Sequence, residues 1–238
     1  NSINMGDASA GLMTSGSGSL ALNSGTIIVG TGSQGIYLKD GDYVHNTGSI
    51  LSTGAGTVGI YANNTSVHVT NDGNIDLAGD KSIGIYSIGT TSINIINNSI
   101  VKIGNSTNTS DPSIGIYNAV AGSTVKNDGT ITSGINSIGI YNNQGTTTIN
   151  GTAVHNIGDS GVGIYATGGL VNLNSGSVFN MGTNGAVAVY GVNSGVINST
   201  NLNIGNSNYG YILKGGSLTN TAGTSASMGS DSVYMYST

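Results

Sequence analysis

Apolar side chains recur along this chain with a period of two, in runs too short for anything but strands. In Ser82-Ile83-Gly84-Ile85-Tyr86 the two isoleucines fall on one side of an extended backbone, and Gly84 and Tyr86 on the other. The same alternation pairs Val58 with Ile60, Ile114 with Ile116, Ile138 with Ile140, Val162 with Ile164 and Val187 with Val189; Gln34 interrupts it once. No stretch shows the i, i+3, i+4 spacing of a helix, and β-branched residues dominate the apolar positions. The pattern predicts an all-β chain of short strands.

The runs are themselves periodic. The tyrosines of Gly-Ile-Tyr are Tyr37, Tyr61, Tyr86, Tyr117, Tyr141 and Tyr165, at intervals of 24, 25, 31, 24 and 24 residues. Looser copies are Gly11-Leu12-Met13, Ala188-Val189-Tyr190, Gly210-Tyr211-Ile212 and Ser232-Val233-Tyr234. A second motif, Asn-x-Gly-x-(Ile/Val), keeps step from Asn23, Asn46, Asn71, Asn127 and Asn174, with degenerate copies from Asn97, Asn150 and Asn198. Two motifs sharing one period indicate a repeat architecture. The Leu-x-x-Leu-x-Leu spine of a leucine-rich repeat is absent, and a propeller blade needs about 40 residues.

A 24-residue period divides into three strands joined by Gly, Asn and Ser turns. The Gly-Ile-Tyr segment is the first. A Thr/Val/Ile stretch is the second, as at 65–69, 90–95 or 146–150, and the segment after the Asn motif is the third, as at 74–79 or 202–205. That is one coil of a parallel β-helix. About ten coils, stacked at the inter-strand spacing of about 4.8 Å, make a rod of roughly 45 Å. Residues 1–238 are expected to form one such unit; both ends cut through a repeat, so a segment of a longer rod is expected.

Composition follows from that geometry. Stacking in register sets each side chain over its counterpart, so isoleucine columns pack, asparagine columns hydrogen-bond, and charged columns repel. Only 6% of residues are charged, and Arg, Glu, Trp and Cys are missing. A formal charge of −5 with no basic stripe argues against nucleic acid as a partner. Without cysteine there is neither a disulfide nor a thiolate metal site.

Four sets of residues are candidates for a role. Asn23, Asn46, Asn71, Asn97, Asn127, Asn150, Asn174 and Asn198 are expected to form a structural ladder at a corner. Tyr37, Tyr61, Tyr86, Tyr117, Tyr141, Tyr165 and Tyr190 are expected to face outward beside a glycine column, either as a purely structural stack or as an aromatic strip for a sugar or protein. The 31-residue interval carries an insertion at about 104–113 with the chain's only proline; Asn108, Asp111 and Pro112 are its candidate binding residues, a tolerated loop being the alternative. Asp7, Asp80, Asp111 and Asp159 each precede the tyrosine position by six residues, and Asp80 and Asp111 fall on adjacent coils. That pair could hold calcium or act as a dyad, or simply start turns. His45, His68 and His155 differ in phase, the five lysines are scattered, and no nucleophile elbow or phosphate loop occurs. No enzyme activity and no cofactor is expected.

Repeated Asn-x-Gly-x-Ile and Gly-Ile-Tyr units in a cysteine-free, Asn/Gly/Ser-rich chain resemble the passenger domains of type V (type Va) autotransporter adhesins, above all the very large ones of fusobacteria. The resemblance implies a secreted, right-handed β-helix on the bacterial cell surface, carried by a separate C-terminal β-barrel in the outer membrane. It implies a non-enzymatic adhesin whose partners are a host-cell receptor protein or glycan, other bacterial surfaces, or further copies of itself. No binding residue carries over, because the matching motifs are structural. A carbohydrate-active β-helix enzyme, a polysaccharide lyase or hydrolase, is the alternative.

Overall fold

The computed structural model describes residues 1–63 and 68–238. The chain is a parallel β-helix of about ten turns, with no α-helix among the described residues. Every strand pairs in parallel with its counterparts one coil away, so Ile85 lies between Ile60 and Ile116, and Tyr86 between Tyr61 and Tyr117.

Each coil has three faces. Strands Val58–Asn63, Ile83–Ile88, Ile114–Asn118 and Ile138–Asn143 belong to the first, His68–Asn71, Asn94–Asn97, Thr124–Asn127 and Thr146–Ile149 to the second, and Asn74–Leu77, Ile100–Ile103, Thr130–Ser133 and Val154–Ile157 to the third. The predicted strand at 65–69 falls partly outside the described residues; the one at 90–95 begins only at Asn94. In two later coils the first and second faces run together as single strands, Val187–Asn198 and Tyr209–Asn220.

The core is a bundle of columns. Ile36, Ile60, Ile85, Ile116, Ile140 and Ile164 are fully buried on the first face. Val44, Val69, Ile95 and Val125 oppose them from the second, and Ile50, Ile75, Val101 and Ile131 from the third. Each such side chain contributes about 1.5–3 kcal/mol by leaving water.

Strict alternation fails at the glycine. Ile83 and Tyr86 are half-buried, while Gly84 and Ile85 are both buried. Gly84 therefore faces inward, not outward beside the tyrosine: a Cβ there would strike the Gly115 carbonyl and the Val101 side chain of the third face. The strand bends at this point, and only a residue without a side chain lets the third face pack so close. Gly35, Gly59, Gly115, Gly139 and Gly163 repeat the arrangement, each closed off by the next coil's backbone.

The serine of Ser-Ile-Gly-Ile-Tyr turns the corner from the third face to the first. Ser82, Ser113 and Ser137 are fully buried. The Ser82 N–H donates to Ser113 Oγ at 3.2 Å, Ser82 Oγ lies 3.1 Å from Thr57 Oγ1, and Ser137 Oγ donates to the Gly104 carbonyl at 2.9 Å. A hydroxyl is small enough for the inside of a corner and satisfies buried backbone there. Each of the five repeated residues thus has its own place in the coil.

Candidate functional site

The asparagine column runs through the corner between the second and third faces. Asn23 Nδ2 donates to Asn46 Oδ1 at 2.7 Å, Asn46 to Asn71 at 2.8 Å, Asn71 to Asn97 at 2.8 Å and Asn97 to Asn127 at 2.7 Å, all buried. The same amides also reach backbone, as Asn97 does to the Ser99 carbonyl at 3.1 Å. Each amide thus joins two coils and satisfies its own corner.

Asn150 and Asn174 do not belong to this ladder. Asn127 stacks on Ile149, which stacks on Leu173, and asparagine returns only at Asn198, bonded to Asn220 at 3.0 Å. The cause is corner length. The third-face strand starts at Thr130 after Asn127, but at Val154 after Ile149 and at Val178 after Leu173. The wider corner buries Ile149, Leu173 and Ala153 inside and pushes the asparagines out, where Asn150 binds Asp128 and Asn174 Nδ2 donates to Asn150 Oδ1 at 2.8 Å. A second buried pair, Asn118 Nδ2 to Asn142 Oδ1 at 2.7 Å, carries no repeated motif that would have marked it in the sequence.

The seven tyrosines form one continuous column on the outside of the first face. Consecutive ring centroids lie 5.2, 5.1, 5.0, 4.7, 5.4 and 4.9 Å apart from Tyr37 to Tyr190. Four pairs are near-parallel: Tyr37–Tyr61 at 6°, Tyr117–Tyr141 at 8°, Tyr141–Tyr165 at 17° and Tyr165–Tyr190 at 9°. Tyr86 is turned, at 74° to Tyr61 and 79° to Tyr117. Tyr141 and Tyr165 therefore have a stacked ring on each face, which leaves their edges for any partner. Met13 precedes the column, and Ile212 and then Tyr236 follow it. Tyr211 points into the core, and Tyr236, not Tyr234, is the last member. Burial, reinforced by neighbouring phenols, raises the pKa of Tyr61, Tyr117 and Tyr165. Lys214 Nζ lies over the Tyr190 ring, 5.6 Å from its centroid.

The insertion leaves the rod between two buried serines. Ser113 N–H donates to Ser106 Oγ at 2.7 Å, and Ser106 Oγ lies 2.8 Å from Ser137 Oγ, so residues 107–112 start and finish at one point of the corner. Within the loop Ser110 N–H donates to Asn108 Oδ1 at 2.9 Å. Lys81 Nζ pairs with the exposed Asp111 carboxylate at 3.1 Å.

Asp80 takes part in a different set of contacts. It accepts from the Thr107 hydroxyl, from Lys81 N–H at 2.9 Å and from Thr107 N–H at 3.2 Å. The Thr107 hydroxyl bond chiefly holds its carboxyl below the ordinary value. Asp7 and Asp159 accept from Thr31 N–H at 2.7 Å and Thr183 N–H at 2.6 Å, so Asp7, Asp80 and Asp159 each anchor the next coil's corner. Asp111 does not share their column: the insertion carries it out into the loop, and Asn105 takes the corner position, accepting from Ile135 N–H at 2.9 Å. Among the described residues no cluster of three acidic or histidine side chains is placed to hold a metal. His45 Nε2 sits 2.6 Å from Asp72 Oδ2, whereas His155 is buried in the core, so the histidines do not converge.

The structure joins two features that are separate in the sequence. Thr109 and Pro112 of the loop, the half-buried Ile138 and Val162, and the rings of Tyr165 and Tyr190 line a groove of about 310 Å³. Its lining carries no charged side chain. Loop, aliphatic floor and tyrosine edges make an uncharged cleft along the rod, suited to holding a neutral ligand by apolar contact and hydroxyl hydrogen bonds. Neither a protein family, nor a curated protein, nor a solved structure matches this chain.

Proposed function

We propose that this chain is a non-enzymatic adhesin segment, a stiff rod from the passenger of a bacterial autotransporter, displayed at the cell surface and mediating attachment to host cells or other bacteria. The observation that carries this reading is the uncharged groove between the 107–112 loop and Tyr165 and Tyr190, where the one long insertion in the repeat meets the tyrosine column. A rod of in-register coils holds such a groove at fixed distance and orientation, and loops on rigid scaffolds are where repeat proteins carry their binding surfaces. The resemblance of the repeats to fusobacterial adhesin passengers supports the same reading, with membrane attachment supplied by a C-terminal β-barrel.

The rival, a carbohydrate-active enzyme, calls for two carboxylates facing one substrate. Asp80 and Asp111 are the adjacent-coil pair, and they are engaged by Thr107 and Lys81. The deciding experiment immobilises the chain and a variant lacking 107–112, and counts host and bacterial cells captured by each. Capture by the parent and loss in the variant, with unchanged circular dichroism, is expected. Equal capture by both would remove the groove from the argument, and release of oligosaccharide from polysaccharides would favour the rival.

A further inference from the structure

The tyrosine column has a chemical consequence that is independent of any ligand. We propose that it is an oxidative cross-linking site, at which stacked tyrosines of neighbouring coils couple into dityrosine and tie one coil covalently to the next.

Coupling needs two phenols held side by side with their ortho carbons within reach. Strand register supplies the first condition. Tyr117, Tyr141, Tyr165 and Tyr190 are direct partners across parallel strands, as are Tyr37 and Tyr61. Ring geometry supplies the second: these pairs have centroids 4.7–5.4 Å apart and planes within 17°. None of the rings is fully buried, so an oxidant has access from solvent. The chain has no cysteine, and a disulfide cannot do this job.

The co-reactant is hydrogen peroxide, used by a haem peroxidase. The oxidised haem takes one electron from each of two phenols, and each phenol gives up its hydroxyl proton. The two radicals carry spin at their ortho carbons, and a Cε–Cε bond forms between them. Each ring then returns its ortho hydrogen to the oxygen and regains aromaticity. In sum, two C–H hydrogens leave with their electrons and one peroxide becomes two waters.

The geometry also assigns which pairs react. Tyr86 meets both neighbours edge to face, so its ring does not lie alongside either of theirs as the stacked pairs do. Tyr43 has a tilted histidine beside it, and Tyr211 is buried and edge-on to Tyr234. Links are therefore confined to Tyr37–Tyr61 and to the run from Tyr117 to Tyr190, where Tyr141 joins either Tyr117 or Tyr165.

The test treats the dilute full chain with hydrogen peroxide and a haem peroxidase, then digests it and identifies linked peptides by mass spectrometry. Expected are links within one chain at those pairs, in a yield unchanged by further dilution, with Tyr86 unlinked. Tyr141→Phe keeps the ring stack but removes both links through that position, while Tyr37–Tyr61 and Tyr165–Tyr190 persist. Dityrosine formed only between chains, links through Tyr86 as frequent as through Tyr141, or a Tyr141→Phe chain whose other links vanish would each overturn the proposal.

Discussion

His155 occupies a position in the third-face core column between Ile131 and Phe179, and it is 1% exposed. Its ring stacks on Phe179 at 5.0 Å and 13°, and Asn127 Nδ2 lies 3.1 Å from Nε2. With Nε2 assigned as the acceptor, Nδ1 carries the proton and has no partner. Charging this imidazole would bury a cation in an apolar column, and burial pushes its pKa from 6.5 down to about 3. The sign follows from linkage. Between those two values the unfolded chain binds a proton that the folded chain refuses, so stability is complete above pH 6.5 and falls as pH drops towards 3. The loss is about 2 kcal/mol at pH 5 and approaches about 5 kcal/mol at the lower limit. His155→Leu puts an aliphatic residue into an aliphatic column and abolishes this dependence. It also leaves one Asn127 N–H unpaired, at a pH-independent cost of about 1–3 kcal/mol. The informative quantity is therefore the change in the difference between variant and parent, measured by urea unfolding at pH 8 and pH 5. The aspartates titrate equally in both chains and cancel. The variant should gain about 2 kcal/mol on the parent between the two conditions; a difference that stays flat, or moves the other way, refutes the buried neutral imidazole.

Three further outcomes are expected. Gly84→Ala drives a methyl group into the Gly115 carbonyl and Val101 and should cost about 1–3 kcal/mol in chemical denaturation, whereas Gly6→Ala, with nothing within 4 Å of the added carbon, should change stability by under about 0.5 kcal/mol. Asn97→Ala leaves the Asn71 amide and the Asn127 carbonyl without their ladder partner, an expected loss of about 2–4 kcal/mol; Asn174→Ala, at an exposed corner, should lose under about 0.5 kcal/mol, and equal losses would contradict the register described here. The Asp72 carboxyl is held below its ordinary value of 3.8 by hydrogen bonds from Asn98 and His45, so Asn98→Ala should raise its titration midpoint in carboxyl-carbon NMR; an unmoved midpoint would discount the Asn98 bond.

The candidate site was half legible in the sequence. A column of tyrosines and a loop at 104–113 are visible because each disturbs or defines the period. Their meeting in one groove is not, since it depends on how the Ser106–Ser113 closure aims the loop, and those serines resemble any others in a Ser-rich chain. The Lys81–Asp111 pair was equally hidden: the two residues lie 30 positions apart in sequence, and the insertion brings them together.

What the sequence determined by itself is the stacking. A parallel β-helix repeats by translation, so one period read from Gly-Ile-Tyr and Asn-x-Gly-x-Ile already says that Tyr117 stands on Tyr141 and Ile85 on Ile116. What only the tertiary structure decided is direction within each coil. Gly84 turns inward because the third face presses against it, Asn150 turns outward because its corner is wider, and Tyr86 swings edge-on while its neighbours stack. Periodicity specifies neighbours along the axis wherever corner lengths repeat, and fails where they do not, as at Asn127 over Ile149; which way a side chain points is set by the packing of three faces across the axis.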